Sequence, residues 1–143
     1  MNDSETRAEI TDGQKQRAAD VLDNLPFAKM IGMRFVDLWP GEAEFEIEMR
    51  DELRQPAGLL HGGVTATLID TAMAFAVITR LGQGERASTI DLTVHYLRPH
   101  TEGKFTCVAK VVRAGKRILT VSADVFNEQK KLIATAISTY TKV

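Results

Sequence analysis

From Glu42 to Arg50 the chain alternates almost without fault, with Ala43, Phe45, Ile47 and Met49 on one face and Glu42, Glu44, Glu46, Glu48 and Arg50 on the other. Side chains two apart share a face of a β-strand, so this period predicts a strand with one buried and one wetted face. An extended stretch from Arg34 to Trp39 precedes it across the turn Pro40-Gly41. Four more strand patterns lie downstream: Ala87 to Leu97, Lys104 to Val112, Arg117 to Phe126 and Leu132 to Thr141. Polar or glycine-containing turns at 99–103, 113–116 and 127–131 separate them, which predicts an antiparallel meander.

Two stretches carry a different period. Ala18, Val21, Leu22 and Leu25 fall at helical spacing, predicting an amphipathic helix from Asp12 to about Leu25 that Pro26 stops, with a further helical turn before Gly32. From Val64 to Ile78 the residues are apolar or small on every side, apart from threonines and Asp70, and no turn chemistry appears until Arg80. A helix that is apolar all round belongs inside a core. It is also the natural cover for the apolar face of a curved sheet, giving an α+β architecture. Residues 1–13 are polar and aperiodic and are expected to form a flexible tail, leaving 14–143 as one domain.

Asp70 is out of place in that helix. The positions three and four residues away are Ala66, Thr67, Met73 and Ala74, so no cation on the same face pairs with it. A buried carboxylate without a partner is costly. It either bonds hydroxyls such as Thr67 and Thr71, or a strand backbone, or it performs chemistry.

Composition narrows the field. A chain of 143 residues fits one domain with a real core, and 44% hydrophobic and 26% charged residues are ordinary for a soluble protein. A net charge of −1 supplies no global field for holding nucleic acid. The single Cys107 forms no internal disulfide, and Met1-Asn2-Asp3-Ser4-Glu5 lacks the pattern of a signal peptide, so a cytoplasmic location is expected. No apolar run reaches the roughly 20 residues needed to span a bilayer, so no membrane partner is expected. His61, His95, His100 and one cysteine have no ligand spacing, and no metal is predicted. The row of glutamates from 42 to 48 reads as a solvated face.

His61-Gly62-Gly63 followed by Asp70, nine residues after the histidine, resembles the helix motif of the hotdog-fold acyl-CoA thioesterases, in particular the PaaI-like branch. The likeness extends from about Met30 to Tyr140. It implies a hotdog fold, a curved antiparallel sheet wrapped around a long central helix. The implied reaction is hydrolysis of an acyl-CoA to a carboxylic acid and coenzyme A, with no cofactor, since coenzyme A is part of the substrate. Asp70 matches the family's nucleophile or general base. Gly62 matches the residue whose N–H meets the oxyanion, and it lies at the expected helix start, where unpaired N–H groups favour negative charge. Gly63 stands beside it.

Other positions follow from the same resemblance. Gln55 occupies a place where the family often has Asn, whose amide binds the thioester carbonyl or positions water; Gln is one methylene longer. His61 matches a residue that orders the loop by hydrogen bonding, and its near-neutral pKa also suits a base. Thr89 aligns with a strand hydroxyl that orients the attacking water, whereas Asp91 reads as structural. The basic turn Arg113-Ala114-Gly115-Lys116-Arg117, together with Arg98, is expected to meet the phosphates of coenzyme A. Met73, Val77 and the neighbours of Leu59 are expected to line the acyl pocket. The family's site lies across a dimer interface, which implies a homodimer, commonly paired again into a homotetramer. A non-catalytic acyl-CoA sensor of the same fold is the alternative. A hotdog dehydratase would carry His five residues after the acid, where this chain has Phe75.

Overall fold

The computed structural model describes residues 9–143, and the first eight positions of the expected tail lie outside the described residues. Helix α1 (Asp12–Asp23) starts at a capping box, in which the Thr11 hydroxyl accepts from the Gln14 N–H and the Gln14 side chain accepts from the Thr11 N–H. Helix α2 (Pro26–Ile31) starts on proline, whose missing N–H is harmless in the first turn, and ends at Gly32 in a left-handed conformation. The strands are β1 (Met33–Trp39), β2 (Glu42–Glu48), β3 (Ala87–Tyr96), β4 (Lys104–Ala114), β5 (Ile118–Asn127) and β6 (Leu132–Lys142). The long helix α3 (Gly62–Ile78) lies between β2 and β3 in the chain.

All pairings are antiparallel, in the order β1-β2-β4-β5-β6-β3. This is the expected hotdog fold, with one correction. Only β4, β5 and β6 form a meander; β3 pairs with β6 at the far edge, and β4 pairs with β2. Period and turn composition report which face of a strand is buried but not which strand lies beside it. Here α3 crosses the sheet and carries the chain to the opposite edge. The return from β3 to β4 is tied to the start of α3 through the Leu60 N–H donating to the His100 carbonyl at 2.8 Å.

The inner faces of β2, β4 and β5 pack on α3. Phe45, Ile47, Phe105, Val121 and Val125 meet Leu68, Ile69 and Met73 in one buried cluster. Phe45 makes edge contacts with Phe35 and Phe75, at centroid separations of 5.6 and 4.8 Å. On the outer face, Glu46 pairs with Arg34 and Lys104, and Glu42 with Lys110. Among the described residues no helix is long and apolar enough to cross a membrane.

Met73 and Val77, expected in the acyl pocket, instead belong to this core at 0% and 1% exposure. They lie on the face of α3 that meets the sheet. Met73→Ala is therefore expected to lower unfolding free energy by about 2–5 kcal/mol, read by urea denaturation. A variant of unchanged stability but altered chain-length preference would restore Met73 to the pocket.

Candidate active site

The loop before α3 is held from several sides. The Gln55 N–H donates to the Leu59 carbonyl at 2.8 Å and the Gly58 N–H to the Gln55 carbonyl at 2.9 Å. The Arg54 guanidinium donates to the Gly58 and Thr101 carbonyls at 2.9 and 2.7 Å and to Glu102 at 2.8 Å. The Gln55 side-chain oxygen accepts from the Ala57 N–H. That bond identifies the amide's orientation, because only the oxygen accepts. Its Nε2 donors have no partner among the described residues.

His61 is the N-cap of α3, with extended φ −63° and ψ 127°, and its Nδ1 accepts from the Gly63 N–H at 2.9 Å. The Val64 and Thr65 N–H groups reach back to the His61 carbonyl at 3.0 and 3.5 Å. A helix leaves its first four N–H groups without intrahelical partners. Of these four, the His61 N–H donates to the Leu53 carbonyl at 2.8 Å and those of Gly63 and Val64 are engaged as above, so the Gly62 N–H alone has no partner among the described residues. The Tyr96 hydroxyl donates to the Gly62 carbonyl at 2.6 Å, and a Cβ on Gly62 would come within 3.2 Å of the Tyr96 ring. Burial raises the Tyr96 phenol above its ordinary pKa, which keeps it a donor.

This helix start opens on a cavity of about 490 Å³ lined by Gln55, Leu59, Leu60, His61, Gly62, Gly63, Tyr96, Leu97, Arg98 and Ile133, among others. Asp70 does not line it. Eight residues along a helix amount to about 12 Å. At that distance the Asp70 Oδ1 accepts from the Thr89 hydroxyl at 3.1 Å and from the Tyr140 hydroxyl at 3.0 Å. The Tyr140 hydroxyl also lies 3.1 Å from the Asp70 carbonyl. Burial, with the Asp70 charge adding to it, pushes the Tyr140 phenol well above the ordinary tyrosine range, so it remains protonated. Both bonds fall on Oδ1 and leave Oδ2 available.

Of the hydroxyls offered as alternatives for Asp70, that of Thr67 instead donates to the Gly63 carbonyl at 2.9 Å. Tyr140 and Tyr96 were not foreseen from the sequence. The available signal was the period of their strands, since Tyr140 continues the inward row of Ala134, Ala136 and Ser138, and Tyr96 that of Leu92 and Val94. Asp91 is structural, accepting from the Thr139 N–H at 2.9 Å beside a bulge. His100 is buried, with Nε2 3.0 Å from the Gly103 carbonyl. No group of three or more His, Cys, Asp or Glu among the described residues could hold a metal ion.

The expected anion-binding residues divide between the two ends of the sheet. Arg98 lines the cavity. Arg113, Lys116 and Arg117 lie at or beside the exposed turn between β4 and β5, at the end where Ile118 pairs with Thr141 and Thr141 with Ser88. That is the Asp70 end.

The family model of the thioesterase superfamily matches residues 57–134. The medium/long-chain acyl-CoA thioesterase YigI of Escherichia coli is 30% identical, over 82% of this chain and 85% of its own. Human acyl-coenzyme A thioesterase 13 is 31% identical, over 76% of this chain and 79% of its own. The phenylacetic acid degradation protein PaaI from Thermus thermophilus superposes with a TM-score of 0.77 at 31% identity, covering 83% of this chain and 100% of that one.

Proposed function

This chain belongs to the thioesterase superfamily, in its hotdog-fold PaaI-like branch, and on that premise we propose that it hydrolyses acyl-CoA thioesters to a carboxylic acid and coenzyme A. The observation that carries the reading is the Asp70 carboxylate, with Oδ1 held by two hydroxyl donors and Oδ2 left for chemistry. The thioester carbonyl accepts from the Gly62 N–H and the Gln55 Nε2, which also receive the oxyanion as it forms. Asp70 either attacks the carbonyl carbon itself or takes a proton from water as the water oxygen attacks. In the first route the C–S bond breaks as an acyl–Asp70 anhydride forms, and water then hydrolyses the anhydride to the carboxylic acid and free Asp70. In the second the tetrahedral intermediate collapses, the C–S bond breaks, and the coenzyme A thiolate takes up the proton that Asp70 removed from water. These steps call on no metal or cofactor.

The spacing of these groups within one chain supports a site shared between two copies. Gly62 and Asp70 lie about 12 Å apart along α3, and Thr89 and Tyr96 about 23 Å apart along β3. The second observation is that β3 is an edge strand with Ile90 and Tyr96 exposed at 56% each and Leu97, just past its end, at 54%. A long edge with exposed apolar side chains is a pairing surface. Two-fold antiparallel pairing centred near Leu92 and Thr93 sets Thr89 and Asp70 of one chain toward Tyr96 and Gly62 of the other. It also turns the basic hairpin of one chain toward the cavity and Arg98 of its partner, where coenzyme A phosphates would be held. We therefore expect a solution mass of two copies, or of four in a dimer of dimers.

The test is free-thiol release from benzoyl-, phenylacetyl-, hexanoyl- and palmitoyl-CoA. Turnover of any of them supports hydrolysis and begins to define the acyl group. Binding of these esters with no thiol released from any would overturn it in favour of an acyl-CoA sensor.

A further inference from the structure

We infer that Tyr96 is a positioning residue that sets the tautomer of His61 through the Gly62–Gly63 peptide, so that His61 meets a bound acyl-CoA as an Nε2–H donor and not as a base. The inference rests on the thioesterase reading for its kinetic consequence only.

The geometry is a chain of two bonds through one peptide unit. The Tyr96 hydroxyl donates to the Gly62 carbonyl at 2.6 Å, and the N–H of the same peptide, on Gly63, donates to His61 Nδ1 at 2.9 Å. A carbonyl that accepts a hydrogen bond makes its own N–H a better donor, so each bond strengthens the other. Because Nδ1 is accepting, the proton of a neutral imidazole must sit on Nε2. A base would need its lone pair on Nε2, hence a proton on Nδ1. That proton would face the Gly63 N–H and break the helix cap. His61 is itself exposed and beside the cavity, so Nε2–H is the end left for a ligand.

Tyr96 also crowds position 62. Its ring atoms lie 3.2–3.3 Å from where a Cβ would stand, while Gly62 itself has an ordinary backbone conformation. An edge-strand tyrosine that is more than half exposed is thus laid across a helix N-terminus, where it crowds position 62 and bonds the carbonyl of that peptide.

The experiment is long-range ¹⁵N–¹H correlation of the imidazoles at about pH 8, in the wild type and in Tyr96→Phe. The chain has only three histidines, and His61→Asn assigns the signal. The wild type is expected to show His61 purely as the Nε2–H tautomer. Tyr96→Phe keeps the ring but deletes the hydroxyl; the two His61 nitrogen shifts should then move toward each other as the tautomers mix. Its kcat for acyl-CoA should fall about tenfold, with KM changed less than about threefold. An Nδ1–H tautomer in the wild type, which needs no variant to detect, overturns the inference, as does an unchanged His61 pattern in a folded Tyr96→Phe. A wild type that releases no thiol sinks the thioesterase reading and leaves the imidazole spectrum to decide the role of Tyr96.

Discussion

Asp70→Asn should lower thiol release by roughly 10²–10⁴-fold, the range expected when a positioned base is lost, while acyl-CoA binding stays within a few-fold of wild type. The substitution is nearly isosteric. The amide oxygen still accepts from the Thr89 and Tyr140 hydroxyls that now hold Oδ1, so the local structure has no reason to open. What disappears is the negative charge, which either proposed role of Asp70, nucleophile or base, requires. Calorimetric binding beside the kinetic assay separates the two effects. A variant within tenfold of wild-type turnover would show that Asp70 is a structural acid held by two hydroxyls.

Gly62→Pro isolates the other half of the chemistry. Position 62 is the first residue of α3, where proline is accepted, and His61 already has the extended backbone that a residue before proline prefers. The substitution removes the one N–H at this helix start that has no partner among the described residues. It also adds a Cβ against Tyr96, so Gly62→Ala, which adds the Cβ but keeps the N–H, is its control. Turnover by Gly62→Pro should fall about 10²–10³-fold, as for loss of one oxyanion donor, whereas Gly62→Ala should keep most of the wild-type turnover. Equal losses in the two variants would mean that crowding of Tyr96, not the donor, is what matters.

The same two variants test whether the site is shared. If Asp70 of one chain works on a carbonyl held by Gly62 of the other, a mixed dimer of Asp70→Asn with Gly62→Pro has one doubly damaged site and one intact site. Random pairing makes half the dimers mixed, so two nearly inactive proteins should recover about a quarter of wild-type activity after subunit exchange. A mixture no more active than its components would place the whole site within one chain, against the 12 Å separation along the helix.

Several features of the molecule were already present in one-dimensional pattern. The alternation from Ala43 to Met49 determines the buried face of β2, because the pleat has period two whatever lies next to it. The unbroken apolar run after His61 determines that α3 is internal, and an acid with no cation at helical spacing marks Asp70 as a place where local rules are broken. His61-Gly62-Gly63 and Asp70 also carried the family.

Contacts between distant parts of the chain decided the rest. The Tyr96–Gly62 bond joins residues 34 positions apart, and the Tyr140–Asp70 bond residues 70 apart. Such partners are selected by strand order, and strand order follows from where α3 delivers β3, a property of the packed sheet that no local period encodes. Met73 shows the same limit from the other side. On a helix apolar all round, only the position of the sheet distinguishes a core residue from one that lines a pocket. Pattern thus determined which elements form and which faces are dry; the tertiary structure alone decided that the Asp70 carboxylate is held by Thr89 and Tyr140, and that Tyr96 lies across the start of α3.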